Sequence, residues 1–256
     1  MKRLVFLLSI IAFLTVPTSS YALLGFGVEG AIGISKSNAS GKFSYKEDLT
    51  YDLESNMGFD DTDDEKETAR IKLYLPLVIP NVYYHHYEMN FAGTAAASFE
   101  YAGQTIAATT ASSLDIVVDD YALFYTIAPI NLATAGIVNI EVGINVRLLS
   151  IDAEVTGVTD DVDFSVPIPQ IFAAVQIDIP MIPIILHGEY RSLSIDDDNE
   201  CTSITGRLVL ELPIPLPLGE VFIAGGYTKD IYKIDHDNVK ADTEFETYFL
   251  ELGYKF

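Results

Sequence analysis

The sequence has no tryptophan and a single cysteine among 256 residues. One cysteine excludes an internal disulfide framework, so nothing covalent staples the fold. Basic residues are scarce: 15 Lys and Arg stand against 37 Asp and Glu, for a formal net charge of −22. That balance excludes nucleic acid as a partner, because its phosphates would be repelled. Beyond Val16 no stretch approaches the ~18 uninterrupted apolar residues of a membrane-spanning helix. A glycine-rich phosphate loop, a paired Cys-x-x-Cys and a nucleophile elbow are all missing, so no cofactor is expected.

What is present pulls the other way from the charge. Hydrophobic residues make up 49% of the chain, and mean hydropathy is +0.26. Strongly acidic chains are usually too polar to bury a core. Both facts hold together if apolar residues alternate with polar ones along strands while the acids gather in the connections.

Met1-Lys-Arg, the apolar run Leu4–Val16 and the small residues Ser20 and Ala22 have the form of a secretory signal peptide cleaved after Ala22. Residues 23–256 are then one exported domain. No cysteine lies near the cleavage site, which argues against a lipid anchor.

Ten segments read as strands: Phe26–Ser35, Ala69–Leu75, Val82–Phe91, Leu114–Thr126, Ile137–Ile151, Pro169–Ile179, Ile184–Ile195, Ser203–Leu212, Val221–Tyr232 and Thr247–Phe256. The fifth alternates cleanly, with Ile140, Val142, Ile144, Val146 and Leu148 on one face and Asn139, Glu141, Gly143, Asn145 and Arg147 on the other. In the third, Tyr87, Met89 and Phe91 are assigned outward and His86, Glu88 and Asn90 inward. In the fourth, the alternation slips at Asp119-Asp120, which suggests a bulge. The last strand sets Tyr248, Leu250, Leu252, Tyr254 and Phe256 on one face, aromatic at both ends and aliphatic between, as in a strand crossing a bilayer.

The connections fall into two alternating classes. Those after the second, fourth, sixth and eighth strands are short and carry Pro. The others, residues 38–67, 93–113, 152–165, 196–202 and 233–242, are mostly longer and usually acidic. A soluble sandwich gives no reason for such alternation. The expected fold is therefore all-β: a closed antiparallel up-and-down transmembrane β-barrel of about ten strands, with eight as the alternative. Closure satisfies every backbone group, as lipid demands.

In order along the chain come Leu24-Gly-Phe-Gly-Val-Glu-Gly-Ala-Ile-Gly33, Leu75-Pro-Leu-Val-Ile-Pro-Asn-Val82, Leu114-Asp-Ile-Val-Val-Asp-Asp-Tyr-Ala-Leu-Phe-Tyr125, Asn139-Ile-Glu-Val-Gly-Ile-Asn-Val-Arg147 and the last strand. In these the chain resembles the small Gram-negative outer-membrane β-barrel proteins of similar length, whose function is largely uncharacterised. The resemblance implies a fold and a location in the bacterial outer membrane, but no activity. It implies lipid and lipopolysaccharide as surroundings and a monomer. It also implies that Tyr248, Leu250, Leu252, Tyr254 and Phe256 form the signal read by the barrel-assembly machinery. Such proteins often carry Trp; here Tyr and Phe have to form the aromatic girdles.

Three candidate sites follow. The first is the lumen, where Glu29, Arg70, Lys72, Glu141, Arg147, His187, Glu189, Arg191, Arg207, Glu211, Glu251 and Lys255 point inward if the apolar faces meet lipid. So narrow a bore is expected to be plugged by ion pairs; the alternative is a narrow, porin-like pore for small solutes. The second is the acidic loop with Asp60, Asp61, Asp63, Asp64 and Glu65, whose carboxylates suit a divalent cation bridging to lipopolysaccharide phosphates. Its spacing is not that of an EF-hand, and a solvated loop is the plainer expectation. The third is a hydrolase or protease site at the rim, for which only Asp235-His236-Asp237 and Asp119-Asp120 offer a pairing. His85 and His86 face opposite ways on one strand and form no common metal site. Cys201 is read as a tolerated loop residue. The expected role is non-enzymatic, structural or interactive through acidic surface loops.

Deleting Phe256 is expected to lower the membrane-assembled fraction, read as heat-modifiable mobility on a gel. Normal assembly of the truncated chain would remove the role given to this residue.

Overall fold

The computed structural model describes residues 26–45, 51–59, 65–76, 78–95, 98–101, 104–156, 162–194, 200–214, 216, 219–236 and 239–256. The segment read as a signal peptide lies outside them. Strands run β1 (Gly27–Tyr45), β2 (Tyr51–Asp52), β3 (Lys66–Tyr74), β4 (Asn81–Thr94), β5 (Phe99–Tyr101), β6 (Gln104–Ile106) and β7 (Ala111–Thr126). A short helix α1 (Ala128–Ala133) precedes β8 (Val138–Val155), β9 (Val162–Asp178), β10 (Ile184–Ser194), β11 (Glu200–Glu211), β12 (Glu220–His236) and β13 (Val239–Lys255).

Ten of these strands form the antiparallel barrel wall in the order β1-β3-β4-β7-β8-β9-β10-β11-β12-β13, and the two-residue β2 adds to the same sheet by pairing with the loop end of β1. The sheet closes when β13 pairs with β1, from Glu29 opposite Lys255 to Tyr45 opposite Val239. The eight-strand alternative is thereby ruled out. Backbone bonds continue past the last register pair, from Val28 N to Phe256 O (3.0 Å) and from Phe256 N to Val28 O (2.9 Å). Near this seam two lumen-facing glycines receive aromatic rings from directly opposite positions, Phe222 over Gly253 and Phe249 over Gly226. A side chain at either glycine would collide with the ring, so each pair helps pin the register.

Residues 75–76, 78–80, 127–137, 179–183, 212–214, 216 and 219 gather at one end with Phe26 and Phe256, here the turn end; the opposite end is the loop end. The outer face over the turn-end half is apolar and exposed: Ile32 and Ile34 on β1, Val142, Ile144 and Val146 on β8, Leu208 and Leu210 on β11, Leu250 and Leu252 on β13. No helix among the described residues is long and apolar enough to cross a membrane. A closed barrel with an exposed aliphatic belt crosses with its strands. Above the belt lie Tyr84, Tyr121, Tyr190, Tyr227 and Tyr248. Tyr84 donates to Asp119 (2.7 Å) and Tyr227 to Glu246 (2.8 Å), so ring bodies stay with the belt while hydroxyls reach the polar zone.

The strands are longer than the sequence pattern suggests, and this corrects several expectations. About 9–11 residues cross the hydrocarbon layer, yet β8 has 18 and β1 has 19. The surplus stands at the loop end and absorbs much of the expected loops: 38–45 and 66–67 are strand, as are 93–94, 111–113, 152–155, 162–165, 200–202, 233–236 and 239–242. In that upper half the pattern inverts. The exterior turns polar beyond the tyrosines, while the interior turns apolar, with Tyr87, Met89, Phe91, Leu114, Ile116, Val118, Leu149 and Phe245 in one buried cluster. Tyr87, Met89 and Phe91 therefore face inward, and His86, Glu88 and Asn90 outward, the reverse of the expected facing. No bulge occurs at Asp119-Asp120: pairing runs unbroken on both sides of β7, and the apparent slip is the switch of apolar face. Cys201 is not a loop residue; it belongs to β11 and is buried in the same cluster.

A turn at residues 53–57 caps this apolar layer. Leu53, Met57 and Phe59 are buried in it, with Leu53 N bonded to Gly41 O (3.0 Å) and Phe59 N to Leu53 O (2.9 Å). The close approach requires Gly93, where a Cβ would lie 2.1 Å from Met57 O. Gly93→Ala is expected to push the cap outward and speed amide exchange at Leu53 and Phe59 by about tenfold or more. Gly206→Ala, where a Cβ meets open space, is the control. Unchanged exchange in Gly93→Ala would show that the turn is not held by this contact.

Candidate functional site

Below the apolar layer the barrel interior is charged. Glu29, Arg70, Lys72, Glu141, Arg147, His187, Glu189, Arg191, Arg207, Glu211, Glu251 and Lys255 all lie on inward positions of their strands. Strand alternation puts them there, because each neighbours an outward apolar residue: Arg147 between Val146 and Leu148, Glu251 between Leu250 and Leu252.

The groups connect across the bore. Glu29 pairs with Arg70, and Arg70 Nε reaches Glu251 Oε2 (2.9 Å). Arg207 Nε approaches the same oxygen (3.4 Å), and its Nη1 meets Glu189 Oε1 (3.1 Å). Arg191 Nη2 donates to Glu189 Oε2 (2.6 Å), and Arg191 Nε lies 3.8 Å from Asp120 Oδ2. Arg147 holds Asp120 bidentately, at 3.0 and 2.9 Å, and donates to Asp230 Oδ1 (2.7 Å). Acid and base thus alternate from Glu29 to Asp230. Lys72 pairs with Glu141 (2.9 Å) beside this chain, and Lys255 with Glu211 nearer the turn end.

Neutral groups complete the shell. Tyr87 donates to Asp230 Oδ2 (2.7 Å), Tyr232 accepts from Arg147 (2.9 Å), and Asn145 donates to Asp120 (2.7 Å) and to Gln170 (2.9 Å). The cations also lie over aromatic rings: Arg191 at 5.3 Å from the Tyr83 centroid and 5.4 Å from Phe172, Lys72 at 5.0 Å from Tyr83, Arg70 at 5.4 Å from Phe222 and Arg207 at 5.1 Å from Phe249. Arg147 and Asp120 are 0% exposed. Taking such charges from water costs several kcal/mol per ion, offset only when each meets an opposite charge and further hydrogen bonds. Four of the five buried cations are Arg, and in Arg70, Arg191 and Arg207 the planar fork reaches two carboxylates while its face lies on a ring.

Sequence reasoning missed Asp230, Tyr83, Tyr87 and Tyr232 as lumen groups and weighed Asp120 only as a rim acid. Asp230 had one signal, an acid within a strand whose both faces are largely apolar. Asp119 and Asp120 diverge: Asp119 is on the outer face, 2.8 Å from His86 Nδ1, and Asp120 is bound inside to Arg147. They make no joint site. His85 faces inward and His86 outward. Asp60, Asp61, Asp63, Asp64 and Asp237, with the side chains of Asp235 and His236, fall outside the described residues, while Glu65 is exposed beside β3. Among the described residues no His, Cys, Asp and Glu group is arranged to hold a metal ion. Tyr248, Leu250 and Leu252 are exposed on the outer face, and Tyr254 and Phe256 are half-buried with rings 6.2 Å apart.

No protein-family model matches the chain, and no curated protein matches it. In fold the chain is similar to bacterial outer-membrane barrels. One is the outer membrane protease OmpT of Escherichia coli, at 9% identity, covering 91% of this chain and 96% of that one with a TM-score of 0.46. Another is Ail, the attachment invasion locus protein of Yersinia pestis, solved with the heparin analogue sucrose octasulfate, at 9% identity, 91% and 99% coverage and a TM-score of 0.39. A third is the translocator domain of the autotransporter NalP of Neisseria meningitidis, at 11% identity, 91% and 88% coverage and a TM-score of 0.40. The ten-strand assignment rests on this chain's own pairing.

Arg147→Met leaves Asp120 and Asp230 buried without their shared partner, and is expected to cost about 3–5 kcal/mol. Adding Asp120→Asn and Asp230→Asn is expected to restore most of it. Denaturant unfolding of the refolded barrel in detergent micelles measures both; a loss below about 1 kcal/mol in the single variant would mean the network does not hold the interior together.

Proposed function

We propose that the protein is an integral outer-membrane barrel whose bore is closed, and that it acts as a structural or interaction protein through its loop end. The observation that carries this reading is the unbroken alternation of acid and base from Glu29 to Asp230, beneath an apolar layer capped by Leu53, Met57 and Phe59. A solute crossing from end to end would have to separate ion pairs and an apolar cluster together. The turn end is then periplasmic and the loop end external, as the short and long connections of such barrels are disposed. The external surface is acidic at Asp115, Asp152 and Glu154, which are exposed. Lipopolysaccharide surrounds this zone, with divalent cations bridging carboxylate to phosphate. The barrel-assembly machinery reads the outward face of β13, and the protein works as a monomer without catalysis.

A narrow transport barrel is the second reading, favoured by one feature: the lumen is open at the turn end in a cavity of about 670 Å3. It requires the ion-pair layer to part. For a rim hydrolase or protease, the divergence of Asp119 and Asp120 removes one of the two pairings the sequence offered.

Planar-bilayer recording separates the first two. The closed reading expects no steady conductance from the wild-type protein, and none from Arg191→Glu beyond irregular leaks. Steady wild-type steps, with ion preference altered by Arg191→Glu, would establish the pore instead.

A further inference from the structure

The cavity at the turn end is a built site. Arg70 and Arg207 line it, and both are more than nine-tenths buried, at 3% and 4% exposure. Each directs its Nε to one oxygen, Glu251 Oε2, so a single carboxylate is shared between two guanidiniums. Among the described residues, the Nη2 of Arg70 and the Nη2 of Arg207 are buried without a hydrogen-bond partner. Guanidinium donors left without a partner beside this cavity are matched best by an anionic oxygen, because charge-assisted hydrogen bonds are about twice as strong as neutral ones. Next to these arginines, one layer nearer the turn end, the lining changes in kind. Ile185, Val209 and Phe222 form an apolar cluster that lines the same cavity.

A ligand that satisfies both walls carries one compact anionic head and a short apolar body. Of the other charges lining the cavity, Lys72 is already paired with Glu141 and Lys255 with Glu211 and Glu220, and Glu29 opposes additional negative charge, so a single carboxylate suits it better than a dianion. We propose that this vestibule binds small aliphatic monocarboxylates from the turn end, the head at Arg70 and Arg207 and the chain against Ile185, Val209 and Phe222. The site is independent of what the loop end contacts and of whether the bore conducts.

The test uses the full-length barrel folded in detergent micelles with methyl-labelled Ile and Val. Butyrate is titrated against butanol and butylammonium at matched ionic strength. The expected result is saturable movement of the Ile185 and Val209 methyl signals with butyrate, and binding weaker by about tenfold or more for the other two. Val209→Phe fills the apolar wall without touching a charge, and is expected to abolish the butyrate response at Ile185 while heat-modifiable folding persists. Absence of saturable shifts with butyrate, equal responses to butanol or butylammonium, or an unchanged response in Val209→Phe would each overturn the proposal.

Discussion

A charge enclosed by a ring of ten strands has to be met by an opposite charge, because the bore is too narrow to keep each one hydrated. The rest of the interior follows from that requirement. Arg70, Arg207, Arg191 and Arg147 each stand between two acids, and each acid from Glu251 to Asp120 stands between two bases. The aromatic rings fill the space the ions leave: Tyr83, Phe172, Phe222 and Phe249 present faces to guanidiniums. An aliphatic side chain there would fill volume but give the cation no electrostatic attraction. The cost of burial is offset collectively, so removing one member exposes its neighbours to the full penalty.

Period-two alternation made the strand number, the two classes of connection and the closing pair legible. Lipid enforces that alternation on the outer face of the turn-end half, where Ile140 to Val146 and Tyr248 to Leu252 follow it without a break. It stops being a guide at the tyrosine girdle. Beyond Tyr84 and Tyr121 water lies outside and an apolar cluster inside, so the same hydrophobic signal marks the opposite face. The misreadings of Tyr87-Met89-Phe91 and of Asp119-Asp120 share that one cause, and so do the strand boundaries drawn short at the loop end, the end of β1 and the starts of β9 and β13. Lumen membership was legible for Arg147 and Glu189, whose flanking residues are apolar. Partnership was not: Arg147 meets Asp230 across 83 positions of sequence, and nothing local records that contact.

The two ends of the barrel are built for different neighbours. Toward the loop end, the apolar cluster and the turn at residues 53–57 pack within the interior, and among the described residues polar and acidic groups stand on the outside. Toward the turn end, the interior opens into a cavity that reaches the layer of Arg70 and Arg207. Surface interaction at one end and small-molecule capture at the other are compatible, because the ion-pair chain lies between them.

Cys201 reports on whether the bore is closed. It lies inside the upper barrel, buried, with Gln170 Nε2 donating to its carbonyl at 3.1 Å. A small charged thiol reagent reaches it only if the bore is open to one mouth. The folded barrel in membranes is expected to show no labelling, and the chain unfolded in denaturant full labelling. Labelling of the folded protein at a rate close to that of the unfolded chain would contradict a closed bore.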